Sequence, residues 1–552
     1  MKEMEKAILK YTILNAVQHD GKADIQAVLG KILGEKPEIR NKIKKIIPDI
    51  KKTVTEVNSW DKEKQESEMK KLGVTIEKKV EEKRELPELP GAQMEKVITA
   101  FPPEPSKYPH IGHAKAALVN YLYAKKYKGK FFLRFEDTNP ELAKKEYYDA
   151  ILDGLKWLDI KWDKLAYVSD KIENFYEATE KLIKEDKAYV CVCPQEEIKK
   201  NRRFMKECKC RKFSKSENLE LWKKMFKEFK EGDISVRLKI SMSHANAAMR
   251  DPIIMRIIDK PHVRTKSKYR IWPMYDFATS LMDAWGGVTH RVRSKEFEMR
   301  RELQQYIQKT LGFKPTQITE MARFNMEGVP SSGREIREMI SEGELMGWDD
   351  PRLTTLMALK RRGFVPEAIK EFLLSTGVTK VESILSWDTF ESFNRSIIDP
   401  KCNRYFCIFD PVEIKVRDSP EIKEVKVHLH PDFPDRGSRE IPVNLGKILI
   451  SKEDFNKFKG KEVRLIGLFN IKLGNQSKFT SKEVIMELPK IQWVSDNNVK
   501  VRIVMNDGSI KEGRAESEIK KLKLDAGIQF VRFGFCRLDQ IKPGFTFYFT
   551  HK

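Results

Sequence analysis

Lys96-Val97-Ile98-Thr99, a turn, a helical stretch from about Gly112 to Lys126, and then Lys130-Phe131-Phe132-Leu133-Arg134-Phe135 set the fold of this chain. A strand, a crossover helix and a second apolar strand form a βαβ unit, which predicts an α/β domain with a Rossmann-like, doubly wound parallel sheet. Ligands of such sheets lie beyond the carboxyl ends of the strands, so the turn that enters the helix is where chemistry is expected. Toward the N-terminus, Leu9, Ile13, Ala16 and Val17 recur at helical spacing, and Lys and Glu crowd the stretch from Asp61 to Lys83. Glu85-Leu86-Pro87-Glu88-Leu89-Pro90-Gly91 then carries the breakers of a linker, so residues 1–92 read as a helical appendage. Beyond about Pro400 the apolar period becomes two, in Val425-Lys426-Val427-His428-Leu429, Val463-Arg464-Leu465-Ile466, Val499 to Met505 and Phe530-Val531-Arg532-Phe533. Asn506-Asp507-Gly508 is a hairpin signal, and residues 400–552 are expected to form β-barrels. Between sheet and barrels, Leu353 to Leu374 reads as helical.

The chain has 552 residues, too many for one core, since cores stop growing at roughly 250–300 residues. With 40% hydrophobic and 34% charged residues it can bury real cores beneath a charged surface. Lys and Arg outnumber Asp and Glu to give +23, which points to a polyanionic partner, nucleic acid first. A lysine-rich surface kept for solubility is the other reading of that charge. No apolar stretch approaches the ~18–20 residues of a membrane span, and Met1 to Lys10 lacks a secretory segment. A cytoplasmic protein with no membrane partner is expected.

Pro109-His110-Ile111-Gly112-His113-Ala114-Lys115 lies where the first strand turns into its helix, so imidazoles and backbone N–H groups meet at a helix N-terminus. That arrangement suits phosphate. Gly112 removes a side chain where a flat ring could approach the backbone, and His110 and His113 can donate hydrogen bonds to phosphate oxygens whose charge grows as a leaving group departs. Four of seven cysteines cluster as Cys191-Val192-Cys193-Pro194 and Cys208-Lys209-Cys210. They suit a tetrahedral zinc site across a hairpin or a small core of free thiols, and both readings stay open.

Phe101-Pro102-Pro103-Glu104-Pro105-Ser106-Lys107-Tyr108-Pro109-His110-Ile111-Gly112-His113-Ala114-Lys115, followed by Leu133-Arg134-Phe135-Glu136-Asp137-Thr138-Asn139-Pro140, resembles the class I glutamyl- and glutaminyl-tRNA synthetases. The likeness continues through Trp272 to Ala278, Gly287-Val288-Thr289-His290, Arg293-Ser294-Lys295-Glu296 and Gly347 to Leu353, and covers nearly the whole chain. The appendage and the β tail, with His430-Pro431-Asp432-Phe433-Pro434, are most similar to the archaeal glutamyl enzymes.

The resemblance implies an ATP- and Mg²⁺-dependent ligase that forms glutamyl-adenylate and passes the glutamyl group to the terminal adenosine of tRNA-Glu. It leaves open whether tRNA-Gln is also charged and whether residues 1–92 hold a protein partner. It implies the division 1–92 appendage, 93–170 and 269–325 catalytic halves, 171–268 acceptor-end insertion, 326–399 mobile loop and helical subdomain, and 400–552 anticodon-binding barrels. It assigns Pro102, His110, Gly112, His113, Ser331, Ser332 and Arg334 to ATP, with His110, Gly112, His113 and Arg334 as catalytic residues. Glu136, Tyr275, Thr279 and Arg293 fall to the amino acid, Glu136 on its ammonium and Arg293 on its γ-carboxylate. A glutaminyl enzyme would carry a small uncharged residue at 293. Lys199, Lys200, Arg202 and Arg203 are expected to meet tRNA phosphates, and Phe530, Arg532, Phe533 and Phe535 offer surfaces for unpaired bases or else belong to a core.

Two positions depart from the pattern. Ala100 stands where the family has a substrate-binding arginine, with Arg291 a candidate to compensate. In the loop that normally reads Lys-Met-Ser-Lys-Ser, Pro330-Ser331-Ser332-Gly333-Arg334-Glu335 puts Gly333 in the place of the key lysine and leaves Arg334 as the nearest cation. Glutaminyl specificity, or a weakened paralogue acting as an RNA-binding protein, are the alternatives these departures keep in view.

Overall fold

The apolar runs on either side of the histidine turn become adjacent parallel strands. In the computed structural model, which describes residues 2–18, 21–35, 43–72, 86–330 and 332–552, β1 is Ile98–Phe101, helix α1 Ile111–Lys126 and β2 Lys130–Phe135. β1 pairs in parallel with β2 from Ile98↔Lys130 to Phe101↔Leu133. Further strands β3 (Lys164–Tyr167), β4 (His290–Ser294) and β5 (Gln317–Met321) complete an all-parallel sheet in the order β3-β2-β1-β4-β5. The winding reverses between β1 and β4, and that switch point leaves a crevice at the strands' carboxyl ends. Ala114, Ala117 and Leu118 of α1 bury against Phe131, Leu133 and Phe135, and Ala100 in β1 is fully buried.

The chain divides into two compact units, Met1–Lys83 and Arg84–Lys552. The first contains helices Lys2–Gln18, Ile25–Glu35, Ile43–Asn58 and Lys62–Lys71, closed over Ile8, Ile13, Ala16, Val28, Ile50 and Val57. The expected linker behaves otherwise in its described part. Leu89 is buried with Val97, Val119 and Tyr123, and its N–H donates to the Tyr127 hydroxyl at 3.0 Å. Leu86 and Leu89, three apart, supply the apolar contact that holds a proline-rich segment on the catalytic body; Glu85 lies outside the described residues.

Between β3 and β4 the insertion forms a four-stranded antiparallel sheet from Ala188–Cys191, Ser235–Leu238, Ile253–Ile257 and Ile271–Pro273, which feeds helix α2, Tyr275–Gly286. The helical stretch expected over Leu353–Leu374 comprises two helices, Leu356–Arg362 and Pro366–Ser375, parted at Gly363, whose φ of +94° is a left-handed cap glycine tolerates. The tail holds a seven-stranded and a six-stranded sheet, one nearly barrel-shaped. Asn498–Val504 and Ile510–Glu516 make the hairpin that Asp507-Gly508 signalled, with Gly508 at φ +84°. Phe530-Val531-Arg532-Phe533 is a turn rather than a strand: one strand ends at Phe530, Arg532 has φ +62°, and the next begins at Gly534.

Candidate active site

At the end of β1, His110 caps α1 in an extended conformation, φ −114° and ψ 175°. Its Nδ1 accepts from Gly112 N at 3.0 Å, and His113 Nδ1 accepts from His110 N at 3.2 Å, a reciprocal cap made by two imidazoles whose centroids are 3.9 Å apart. The amides of Ile111 and Gly112 are therefore taken, the former by Thr354 O at 2.9 Å, so this is not a bare row of N–H groups. Burial holds both imidazoles low, His110 to about 3 and His113 well below its usual range, with Lys107 adding repulsion. Both rings are thus neutral at pH 7. Because each Nδ1 accepts a backbone proton, each ring carries its own proton on Nε2, which assigns the tautomer from the bonding pattern and leaves one donor per ring. Gly112 has a nearer duty than admitting a ligand ring: a Cβ there would meet His110 Cε1 at 2.9 Å.

The turn opens on a cavity of about 1320 Å³ at the switch point, walled by Pro102, His110, Gly112 and His113 on one side and by Glu136, Tyr275, Arg291 and Arg293 on another. Glu136 is buried. Its Oε1 accepts from Arg134 Nε at 3.1 Å and Nη2 at 2.6 Å, while Oε2 has no partner within the chain. Burial raises its carboxyl above the usual range against the pull of Arg134. The Tyr275 phenol is pushed up by burial, and its ring lies 5.5 Å from that of Phe297.

Arg293, 7% exposed, donates Nη1 to Gln304 Oε1 at 2.7 Å and Nη2 to Phe297 O at 3.0 Å. Gln304 is oriented by its own Nε2, which donates to Asp276 at 2.9 Å, and its Oε1 also accepts from Arg291 Nη2 at 2.9 Å. Among the described residues no carboxylate forms an ion pair with Arg293, and its Nε is buried without a partner. Burial first and Arg291 second bring its pKa down to about 10. Arg291 is itself buried against Asp283 at 3.0 Å. Since Thr99 pairs with His290, the parallel register sets Ala100 beside Arg291 on the neighbouring strand.

Three expected positions lie elsewhere. Thr279 is fully buried and does not line the cavity; its hydroxyl accepts from Arg134 Nη2 at 3.0 Å and from Arg291 Nη1, so it buttresses the wall from behind. Arg334 points away: its side chain is 84% exposed and pairs with Glu338 one helical turn on, at 2.8 Å. Ser332 is exposed at the N-cap of helix α3, Gly333–Ser341, and Ser331 lies outside the described residues. Pro330 and Gly333 do reach the cavity, as does Lys107, which motif reading passed over because it sits between the recognised residues. In the tail, Phe530 and Phe535 are core side chains, and Arg532 is held by Asp454 at 2.8 Å.

In the insertion the ligand atoms of Cys191, Cys193, Cys208 and Cys210 all lie within 4.8 Å of one another. The Cys191–Cys208 and Cys193–Cys210 sulfur pairs are 3.9 Å and 3.7 Å apart. A tetrahedral ion with Zn–S bonds of about 2.3 Å requires S–S edges of about 3.8 Å, so the set fits. The hydrogen bond between Cys191 and Cys208 pushes the first thiol up and the second down, and buried Arg237 approaches both sulfurs, at 3.9 Å and 3.7 Å. Among the described residues these four cysteines are the one group of three or more ligating side chains that could hold an ion.

A doubly wound sheet with neutral histidines at its first turn and paired arginines on the strand across the switch point is the frame of a class I nucleotide-dependent ligase. Residues 96–400 match the catalytic-domain family of class I tRNA synthetases (E and Q), and residues 402–489 and 490–539 match its two anticodon-binding-domain families. Glutamate–tRNA ligases of Pyrococcus furiosus and Nitrosopumilus maritimus are 41% and 42% identical to the chain, the first over 98% of both proteins and the second over 100% of both. A crystal structure of a glutamate tRNA ligase from Elizabethkingia meningosepticum aligns with TM-score 0.41 and 18% identity over 55% of this chain and 70% of that one. The chain belongs to the class I tRNA synthetases of the glutamate and glutamine branch.

Proposed function

We propose that the protein ligates glutamate to the 3′ end of tRNA-Glu through glutamyl-adenylate, consuming ATP. The observation that carries this reading is Arg293, a buried cation on the cavity wall with no ion-pair partner among the described residues. A γ-carboxylate supplies the missing charge, whereas the amide of glutamine leaves it uncompensated. At the other end of the amino acid, the free Oε2 of Glu136 suits the ammonium, and the Tyr275 ring packs against the stem. ATP enters with Mg²⁺ as its counter-ion beside Pro102 and Gly112, with the Nε2–H groups of His110 and His113 donating to phosphate. Zinc held by Cys191, Cys193, Cys208 and Cys210 would tie the two limbs of the insertion together. Lys199 and Arg202, on the helix Gln195–Arg203, reach the cavity rim and fit tRNA phosphate near the acceptor end.

ATP–pyrophosphate exchange with tRNA-Glu and tRNA-Gln supplied separately tests the reading. Exchange that depends on glutamate supports it, and exchange that depends on glutamine alone contradicts it. The outward Arg334 favours a second reading, a paralogue that binds tRNA without activating an amino acid. Retention of tRNA on a filter with no exchange would favour that reading.

A further inference from the structure

At the histidine end of the cavity the wall carries three cationic side chains, Lys107, Lys115 and Arg323. The two imidazoles are neutral, Arg334 is turned outward onto Glu338, and position 333 is glycine. Of the three, Lys107 is the one packed against the loop at Gly333. It lies in the turn after β1, partly buried and lining the cavity; among the described residues its ammonium forms neither a hydrogen bond nor an ion pair, although the charges of Glu104 and Glu296 act on it. Lys115, in the first turns of α1, lies over the Phe324 ring, 5.7 Å from its centroid.

The stem of Lys107 lies directly against Gly333. A Cβ built on Gly333 would stand 2.9 Å from Lys107 Cδ and 3.5 Å from its Cβ. Gly333 opens helix α3 and does not have a positive φ, so its backbone does not demand glycine; the space does. A side chain at 333 would push the stem of Lys107 out of the position it now takes. Glycine at 333, where the family resemblance places a lysine, leaves room for the stem of Lys107. Lys107 also adds to the repulsion that keeps His110 and His113 uncharged, which sets its ammonium in the electrostatic neighbourhood of both rings.

We propose that Lys107 is a catalytic residue for adenylate formation, contacting the β- and γ-phosphate oxygens of ATP, and that Gly333 is the counterpart that admits it. The inference rests on the ligase reading above. A glutamate carboxylate oxygen bonds to the α-phosphorus, the bond from that phosphorus to the α–β bridging oxygen breaks, and its electron pair leaves on pyrophosphate. No proton is transferred. Negative charge grows on the departing group, where a preorganised ammonium acts most strongly.

The test compares the unaltered chain with Lys107→Met, Lys107→Arg, Gly333→Lys and the double variant Lys107→Gly/Gly333→Lys in glutamate-dependent ATP–pyrophosphate exchange with tRNA present. Methionine keeps the stem that packs on Gly333, so folding is preserved. Lys107→Met should lower kcat roughly 100-fold or more while KM for glutamate moves by less than about threefold. Lys107→Arg should retain most of the rate, and Gly333→Lys alone should lose it through crowding. The double variant should recover at least roughly tenfold over Lys107→Met, because the cation returns from the loop side. Exchange by Lys107→Met within about twofold of the unaltered chain would overturn the proposal, as would a loss confined to KM for glutamate. If the unaltered chain showed no exchange, the ligase reading would fall and this inference with it.

Discussion

Arg293 is a guanidinium that burial has made expensive and that no carboxylate of the described residues relieves. Leaving such a charge unmatched costs roughly 3–5 kcal/mol, and a bound carboxylate recovers much of it. Arg293→Ala is therefore expected to lower kcat/KM for glutamate by about 10²–10³-fold in aminoacylation, mainly through KM, with KM for ATP little changed. Arg291 adds a second prediction. Because it lies beside Ala100 across the β1/β4 register, Ala100→Arg forces a second guanidinium into fully buried space. That variant should lose about 1–3 kcal/mol in thermal unfolding and charge tRNA less well, and Ala100→Arg/Arg291→Val should recover both. Faster charging by Ala100→Arg alone would show that Arg291 is not the compensating cation. Single residues were legible in sequence only where a motif fixed the strand face. Arg293 leads onto the wall because it lies near the carboxyl end of β4, whereas the side-chain directions of Thr279 and Arg334 depend on packing and on Glu338, which no motif records.

At the scale of elements, the α1 cap ties two neutral imidazoles to backbone amides, and this makes the turn acid-sensitive. His110 titrates near 3 when folded and near its ordinary value when unfolded. Between those values the unfolded chain holds more protons, so stability is fully present above about pH 6.5 and falls as pH drops, by up to about 1.4 kcal/mol per pH unit for each histidine. Thermal unfolding followed from pH 7.5 to 5 should show this decline, and His110→Asn, which keeps a cap acceptor, should flatten part of it. The cysteine hairpin carries a further prediction. Metal analysis should find one zinc per chain, and Cys208→Ser/Cys210→Ser should abolish it; a chain that is metal-free as purified would leave a thiol core. Element bounds were legible where apolar period and turn residues agreed, as at β2 and the Asp507-Gly508 hairpin. Reading failed at Arg532, where a non-glycine residue takes a left-handed turn without a sequence signal. The helical reading of Leu353 to Leu374 is met by two helices, and the break at Gly363 between them had no signal in the run.

Over the whole molecule, the sheet order was implicit in one βαβ unit, but the return to β4, which creates the cavity, depends on contacts between residues nearly two hundred positions apart. The charge of +23 belongs to the same scale. Binding of tRNA should weaken with salt, with a log–log slope of several units if several phosphates are neutralised, and Lys199→Ala/Arg202→Ala should reduce that slope by about one to two. No helix of the described residues is long and apolar enough to cross a membrane. Which amino acid the cavity selects is decided at this scale too, by the strands that bring Arg293 to its wall. With ATP and magnesium, and with glutamate and glutamine present at equal concentration, acylation of purified tRNA-Glu and tRNA-Gln measures that choice directly. Glutamate alone should be found on the tRNA, and its preference should collapse in Arg293→Ala. Glutamine attached at a comparable rate, or a preference that survives the loss of Arg293, would contradict the account.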